Sequence, residues 1–188
     1  MRDGAGASEV ESALVAATRA DLPAIASLMN RAYRDPAHPR AWASESGTIA
    51  GPRTTPALLA EDFDAAVPGA VLLTRREGGA IVGCVWIAPE VGTSWYLGSL
   101  TVAPERQGAG LGKWLLAAAE DEIARRGGRQ VRMTVVNVRE ALIAWYGRHG
   151  YRLTGETAPF PYDSDRFGVP QRDDLSFVIL ARDLPLRA

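Results

Sequence analysis

The segment Leu100-Thr-Val-Ala-Pro-Glu-Arg-Gln-Gly-Ala-Gly-Leu-Gly-Lys-Trp-Leu-Leu116 decides the predicted fold. An apolar run typical of a strand ends at Pro104, and glycines follow before apolar residues return at helical spacing. The glycines are Gly108, Gly110 and Gly112. Glycine lets an anion approach the backbone, and the first N–H groups of a helix carry partial positive charge. The order strand, glycine loop, helix therefore predicts an anion-binding loop.

The spacing of these glycines argues against two common nucleotide-binding loops. A P-loop requires Gly-x-x-x-x-Gly-Lys-Ser/Thr, but Trp114 stands where the magnesium-binding hydroxyl residue belongs. A Rossmann fingerprint requires Gly-x-Gly-x-x-Gly, and Lys113 occupies its third glycine position. A third pattern, Gln/Arg-x-x-Gly-x-Gly/Ala, is satisfied by Gln107, Gly110 and Gly112.

The third pattern resembles the acetyl-CoA pyrophosphate loop of the GNAT N-acetyltransferase superfamily. A second segment carries the same resemblance. A strand-like run ends at Asn137, and a predicted short helix containing Tyr146 leads to the pair Gly150-Tyr151. This is the order that the superfamily shows, and the resemblance covers nearly the whole chain.

Composition limits the class of protein. The chain has 188 residues, of which 47% are hydrophobic and 23% charged, as expected of one globular domain. We predict a disordered leader over 1–10 and a single N-acetyltransferase domain over 11–188. A net charge of −1 and a pI near 6.1 argue against a nucleic-acid partner. Lys113 is the only lysine, which with the abundant Ala and Gly indicates a GC-rich, bacterial coding sequence.

Neither a secretory signal nor a membrane segment is predicted. Acidic residues occupy the N-terminal region where a signal peptide is basic and then apolar, and no apolar run approaches about 20 residues. These features predict a cytoplasmic protein without a membrane partner. Cys84 is the only cysteine, and its strand-like surroundings favour a small buried hydrophobe over a nucleophile.

Hydrophobic periodicity predicts an α/β (α+β) fold with a mixed, mostly antiparallel sheet of about seven strands flanked by helices. The resemblance implies a splay between the fourth and fifth strands. Strands are predicted over 13–19, 70–76, 80–91, 96–102, 130–137, 151–156 and 174–181. Helices are predicted from 22, over 56–63, over 110–126 and over 139–148, and 33–55 is predicted to be rich in loops.

The resemblance implies direct transfer of an acetyl group from acetyl-CoA to an amine. It implies that Tyr146 protonates the leaving CoA sulfur, although a core aromatic beside Leu142 and Trp145 is the alternative. A backbone N–H of Val102 or a neighbour would polarise the thioester carbonyl. The cofactor-binding residues implied are Leu100, Val102, Gln107, Gly108, Ala109, Gly110, Leu111, Gly112, Lys113, Asn137 and Tyr146. Lys113 has the alternative of a solvated helix residue, and Asn137 that of a strand-end turn residue.

A general base is harder to assign. Some members of the superfamily place a carboxylate or histidine on the fourth strand, but the predicted fourth strand, 96–102, contains neither. We predict Glu45 as the base because its loop should border the acceptor pocket. A base acting through water is the alternative, and the other candidate side chains are His38, Glu90, Asp163 and Asp165.

Two loop segments resemble a signature of a microbial subgroup of the superfamily. One is Arg40-Ala-Trp-Ala-Ser-Glu45 together with Gly51-Pro-Arg-Thr54, and the other covers 155–175. Ala41 replaces the Gly of that signature. An acceptor-pocket wall is one interpretation of these segments, and a rigid cover or dimer contact is the other. The predicted substrate-binding residues are Arg40, Trp42, Arg53 and Tyr162, and the two arginines favour an acceptor with a carboxylate.

The predicted function is an N-acetyltransferase that acts on a primary amine of a small molecule or peptide, without a metal, and that forms a homodimer as many GNAT proteins do. A non-catalytic acyl-CoA-binding sensor or scaffold is the first alternative, favoured by the missing base and opposed by Tyr146. A nucleotide-binding enzyme that uses the same glycine loop is the second, and the glycine spacing argues against it.

Overall fold

Nine strands and four helices make up the described part of the chain, which in a computed structural model covers residues 13–35, 44–45 and 47–185. The strands are β1 (Val15–Ala16), β2 (Ile49–Ala50), β3 (Val71–Glu77), β4 (Ala80–Pro89), β5 (Ser94–Val102), β6 (Gln130–Val136), β7 (Arg152–Pro159), β8 (Val169–Pro170) and β9 (Ser176–Asp183). The helices are α1 (Leu22–Arg34), α2 (Pro56–Asp64), α3 (Leu111–Arg125) and α4 (Glu140–Arg148). The predicted leader over 1–10 lies outside the described residues.

Seven of the strands form one sheet in the order β1-β3-β4-β5-β6-β9-β7. Only β5 and β6 run parallel, and every other neighbouring pair is antiparallel. The prediction of a seven-stranded, mostly antiparallel sheet flanked by helices is confirmed. The remaining strands, β2 and β8, pair with each other outside the sheet. We call this pair the β2–β8 ribbon, and the sequence pattern did not predict it.

The parallel strands β5 and β6 are paired over only a short part of their length. Ser94, Trp95 and Tyr96 are in register with residues 130–132, and the pairing stops there. β5 continues to Val102 beside β4, while β6 continues to Val136 beside β9. The two strands therefore diverge, and these are the fourth and fifth strands of the sheet in chain order, as predicted. The divergence leaves a gap in the middle of the sheet.

Each face of the sheet is covered by a separate apolar core. Leu72 and Cys84 pack with α1 and α2, whereas their neighbours Leu73 and Val85 pack with α3 and α4. This follows from the two-residue alternation of side chains along a strand. Cys84 is fully buried in the first of these cores, so its interpretation as a small buried hydrophobe is confirmed. The helices therefore form one layer on each face of the sheet, and the central gap lies between the two layers.

Candidate active site

The glycine loop joins the end of β5 to the start of α3. Gly108 and Gly110 have φ angles of 79° and 82°, in the left-handed region that favours glycine, and Gly110 is the N-cap of the helix. The N–H of Trp114 donates to the carbonyl of Gly110 at 3.0 Å and so begins the helical hydrogen-bond pattern. The N–H groups of residues 111–113 precede this bond and have no acceptor one turn earlier in the helix. The loop thus presents consecutive N–H groups of the kind that bind a pyrophosphate.

Gln107 fixes this loop to the strand before it. Its Nε2 donates to the carbonyl of Val102 at 3.1 Å. Val102 is fully buried and in register with Gly83 of β4. Lys113 lies on the exposed side of the first turn of α3. The residues predicted to bind the cofactor between 107 and 113 therefore form one continuous surface at the carboxyl end of β5.

A cavity of about 420 Å³ occupies the gap between β5 and β6. Residues 96–100 of β5 and 133–136 of β6 line it, together with residues from α1, α4 and the loops. Four residues predicted from the sequence lie in its wall: Glu45, Arg53, Leu100 and Tyr146. The gap therefore brings predicted cofactor, catalytic and acceptor residues together at one place.

Tyr146 projects from α4 into this cavity. It is 5% exposed, and its ring packs edge-on against Trp145 at 5.0 Å and against Tyr151 at 5.6 Å. Within the described residues, no hydrogen bond to its hydroxyl is found. Burial raises the pKa of Tyr146 above its ordinary value, and the neighbouring Tyr33 and Tyr96 raise it further. The hydroxyl therefore keeps its proton at neutral pH and faces the space that a ligand would fill.

Glu45 lies in the cavity wall but is held by arginines. It is 8% exposed and pairs with Arg34, and its Oε1 lies 3.5 Å from Nη1 of Arg139. Arg34 also donates to the carbonyls of Gly51 at 3.0 Å and Phe167 at 2.7 Å. Each carboxylate oxygen thus faces a guanidinium group, and each has a further lone pair that can accept a hydrogen bond. Its role as a base remains a prediction.

Asn137 uses its side chain to join β6 to the start of β9. Its Nδ2 donates to the carbonyl of Asp174 at 2.9 Å, and its Oδ1 accepts from the N–H of Ser176 at 3.1 Å. Both ends of the amide are thus bonded to nearby backbone. The predicted contact between Asn137 and the cofactor remains a prediction.

The structure separates the predicted acceptor residues. Arg53 lies in the cavity wall, whereas Tyr162 is outside the lining and accepts a hydrogen bond from the N–H of Leu175 at 2.6 Å. Arg40 and Trp42 lie outside the described residues. His38, an alternative base, also lies outside them. The other alternative bases, Glu90, Asp163 and Asp165, are exposed and do not line the cavity.

Several cavity residues were not identified from the sequence. The hydroxyl of Tyr33 donates to the carbonyl of Leu100 at 3.2 Å, and the hydroxyl of Tyr96 lies 3.5 Å from Oγ1 of Thr134. Ser99 has a φ of 51°, at an irregularity where the register between β4 and β5 shifts. An interrupted strand beside a site is a recognised way to aim side chains. The pattern over 96–102 shows an ordinary strand and gives no sign of this shift.

The β2–β8 ribbon joins the two loop segments that resemble the subgroup signature. Ile49 and Ala50 are in register with Pro170 and Val169. A Cβ at Gly168, which has a φ of 92°, would lie 2.4 Å from the carbonyl oxygen of Ala50. Only glycine allows this approach, and it brings the segment after β2 against the segment before β8. Arg53 and Phe167 meet there, at the cavity wall.

A sequence model described as the Acetyltransferase (GNAT) family matches residues 24–151. The chain belongs to this family. Among curated proteins, no match was found.

The fold is also found in solved acetyltransferase structures. A proposed phosphinothricin N-acetyltransferase has a TM-score of 0.67 at 17% identity, with 92% of this chain and 98% of that chain covered. The ribosomal-protein-S18-alanine N-acetyltransferase from Escherichia coli has a TM-score of 0.66 at 18% identity, with coverages of 93% and 95%. A GNAT family acetyltransferase from Elizabethkingia anophelis with acetyl-CoA bound has a TM-score of 0.57 at 18% identity, with coverages of 66% and 82%.

The described residues lack both a membrane-spanning helix and a metal-binding cluster. Among the described residues, none of the helices combines the length and the apolar character that crossing a bilayer requires. Over the same residues, no group of three or more His, Cys, Asp or Glu side chains is arranged to hold a metal ion.

Proposed function

We propose that the chain is an N-acetyltransferase that moves an acetyl group from acetyl-CoA to a primary amine by direct attack. The observation that carries this proposal is the gap between β5 and β6. It has the glycine loop at the end of one wall and the Tyr146 hydroxyl in the other. The fold agrees with the family to which the chain belongs.

Different groups of the chain are suited to binding the pyrophosphate, polarising the carbonyl and transferring the protons in this reaction. Acetyl-CoA, when bound, supplies the acetyl group and a thiolate leaving group. N–H groups at the start of α3 would hold its pyrophosphate, and a backbone N–H of β5 near Val102 would polarise the thioester carbonyl. The amine nitrogen forms a bond to the carbonyl carbon as the carbon–sulfur bond breaks. Tyr146 would give its proton to the sulfur and a base would take the proton lost by the amine, and exchange with solvent then restores both groups.

The acceptor of the amine proton is proposed to be Glu45. Its position in the cavity wall supports the proposal, and its ion pairs with Arg34 and Arg139 hold the carboxylate there. The cytoplasmic location, the bacterial origin and the homodimer stay predictions from the sequence.

Thermal unfolding with acetyl-CoA, CoA, ATP and NAD in parallel tests the cofactor. A ligand that binds only the folded state adds about 2.7 kcal/mol of stability at a hundredfold excess over Kd. We expect acetyl-CoA and CoA to raise the midpoint, and ATP and NAD to leave it unchanged. Thiol release with a panel of amines then tests catalysis. If acetyl-CoA stabilises the protein but no amine causes release of the CoA thiol, the sensor or scaffold function is favoured. If only ATP or NAD stabilises the protein, the proposal is wrong.

A further inference from the structure

Arg53 stands out among the charged groups around the cavity. Its guanidinium carbon lies 5.5 Å from the ring centre of Tyr33 and 5.1 Å from that of Phe167. Its own N–H donates to Oδ1 of Asn30 at 2.6 Å, which fixes the backbone from which the side chain extends. The aromatic rings limit the directions in which the guanidinium can move. Arg53 is therefore a positioned cation.

The other arginines near the cavity share a carboxylate partner. Arg34 and Arg139 both pair with Glu45. Among the described residues, no carboxylate pairs with Arg53. Of the described residues that line the cavity, Arg53, Arg139 and Glu45 are charged, and Glu45 also pairs with Arg34, so positive charge is in excess there. A half-buried charge without a counterion costs free energy, and an anionic group of a ligand would remove that cost.

A second, smaller cavity of about 270 Å³ meets the first at Arg53. Tyr96, Ser99 and Phe167 also line both. Asp62 is the only carboxylate among the described residues that line the second cavity, and it pairs with Arg166. Arg53 thus borders two cavities. The carboxylates that line them among the described residues, Glu45 and Asp62, pair with other arginines.

The surroundings of Arg53 are apolar and aromatic. Phe160 and Phe177 stack with ring centres 5.5 Å apart, and both line the larger cavity with Ile49 and Phe167. A cavity of this size and lining is typical of small-molecule sites. A ligand that fits here has an apolar body and an anionic group directed to Arg53.

Resting on the proposed function, we infer that the acceptor amine is an amino acid with an apolar side chain, and that Arg53 binds its carboxylate. A guanidinium presents two parallel N–H groups that match the two carboxylate oxygens. The phosphates of CoA are the competing anions for Arg53. The glycine loop follows the carboxyl end of β5, beyond the residues 96–100 that line the cavity, and offers them its own N–H groups.

Matched acceptors test the chemical class. Thiol release is measured with the apolar amino acids, and then with the amide and the decarboxylated amine of the best of them. For phenylalanine these are phenylalaninamide and 2-phenylethylamine. We expect kcat/KM to fall about 10- to 100-fold when the carboxylate is removed, because a hydrogen-bonded charge pair is lost. The inference is overturned if the three amines are acetylated at equal rates. It is also overturned if other amines are acetylated but no amino acid is.

Substitution of Arg53 tests the residue. Arg53→Gln should raise the KM of the amino acid about 10- to 100-fold while leaving the KM of its amide and of acetyl-CoA unchanged. Arg53→Lys keeps the charge but loses the paired geometry, so it should give an intermediate KM. Arg125→Gln, at a helix position 62% exposed, is the matched control and should change none of these values. A raised KM for acetyl-CoA with an unchanged amino-acid KM would assign Arg53 to the phosphates of CoA instead.

Thermal unfolding and kinetics together distinguish failure of this inference from failure of the proposed function. Thermal unfolding of each variant, with and without acetyl-CoA, is measured beside its kinetics, so an unfolded variant is recognised by the absence of an unfolding transition. If acetyl-CoA fails to stabilise the unsubstituted protein, the proposed function fails. If acetyl-CoA stabilises it and amines without a carboxylate are the preferred acceptors, only the inference fails.

Discussion

The phenol ring of Tyr96 occupies the space that a side chain at Gly98 would need. A Cβ at Gly98 would lie 2.5 Å from both Cε1 and the hydroxyl oxygen of Tyr96. Tyr96 is the last residue of β5 that pairs with β6, and its hydroxyl lies 3.5 Å from Oγ1 of Thr134 across the gap. The side chain thus continues the contact between the two strands after their backbone pairing has ended.

Gly98→Ala should therefore change the cavity more than the fold. The added methyl group displaces the ring of Tyr96, which can swing away at small cost to stability. We expect kcat/KM for the acceptor to fall about tenfold or more, since a displacement of about 1 Å near a reacting centre has effects of this size. Gly147→Ala, at an open helical position, is the control and should add about 0.5–1 kcal/mol of stability without affecting turnover. Unchanged kinetics in the Gly98 variant would contradict this prediction.

Removing the Tyr146 hydroxyl should slow the chemical step. Tyr146→Phe keeps the ring that packs against Trp145 and Tyr151, so the Kd of acetyl-CoA should stay the same. We expect kcat to fall about 100-fold, a typical loss when a general acid is removed. Because burial raises the pKa of Tyr146, its ionisation should not reduce kcat below pH ~10. Full activity of the variant, measured by thiol release, would remove Tyr146 from the mechanism.

The two ends of α3 offer a controlled comparison of glycines. Gly110 and Gly127 both have positive φ angles, of 82° and 86°, and a Cβ at either position would contact nothing within 4 Å. Substitution by Ala should destabilise either variant by about 1–2 kcal/mol through backbone strain alone. Only Gly110→Ala should also weaken acetyl-CoA binding, because it distorts the loop whose N–H groups face the pyrophosphate. Calorimetric titration measures this difference, and equal affinities in the two variants would count against the assigned anion site.

The ion pairs of Glu45 give a prediction for stability and another for catalysis. Glu45→Gln removes the carboxylate that pairs with the largely buried Arg34 and Arg139, and we expect a loss of about 3–5 kcal/mol in the free energy of unfolding. Asp62→Asn, at the exposed pair with Arg166, should cost less than about 1 kcal/mol.

Kinetics and binding distinguish the two roles of Glu45. If it accepts the amine proton, Glu45→Gln should lower kcat about 100-fold, a typical loss when a general base is removed, while the Kd of acetyl-CoA stays the same. A KM raised for the acceptor with an unchanged kcat would limit Glu45 to positioning the arginines.

Burial of Cys84 should make the fold less stable at alkaline pH. Burial raises the pKa of its thiol to about 12, whereas a thiol in the unfolded chain ionises near pH ~8.5. This contribution to stability is complete below pH ~8.5 and is lost as the pH rises towards the folded value, by up to about 1.4 kcal/mol per pH unit. Urea unfolding between pH 8 and about 9.5, below the range where tyrosines ionise, should show this slope. Cys84→Ala should flatten it, and an identical slope in both proteins would be inconsistent with this account.

The sequence pattern predicted the sheet because its strands are short runs bounded by turn residues, some apolar throughout and others, such as β6, with Val131, Met133 and Val135 buried at every second position. It predicted the glycine loop because the backbone at Gly108 and Gly110 is left-handed, a conformation that favours glycine, and the glycines are visible in the sequence. It gave no sign of Ser99 at positive φ, since that position depends on the register shift between β4 and β5. Nor did it show that Glu45 is enclosed by Arg34 and Arg139, because residues so far apart meet only in the folded chain.

The β2–β8 ribbon lies outside the seven-stranded sheet, and its second strand, Val169–Pro170, lies beyond residues 24–151, which match the family. Arg53 and Phe167 flank the ribbon and reach the cavity from it. On the proposed function, inherited changes in this ribbon would alter which acceptor is accommodated while the sheet and the glycine loop stay as they are. Selection for a new substrate would then act on the ribbon, and selection for a stable fold on the seven-stranded sheet.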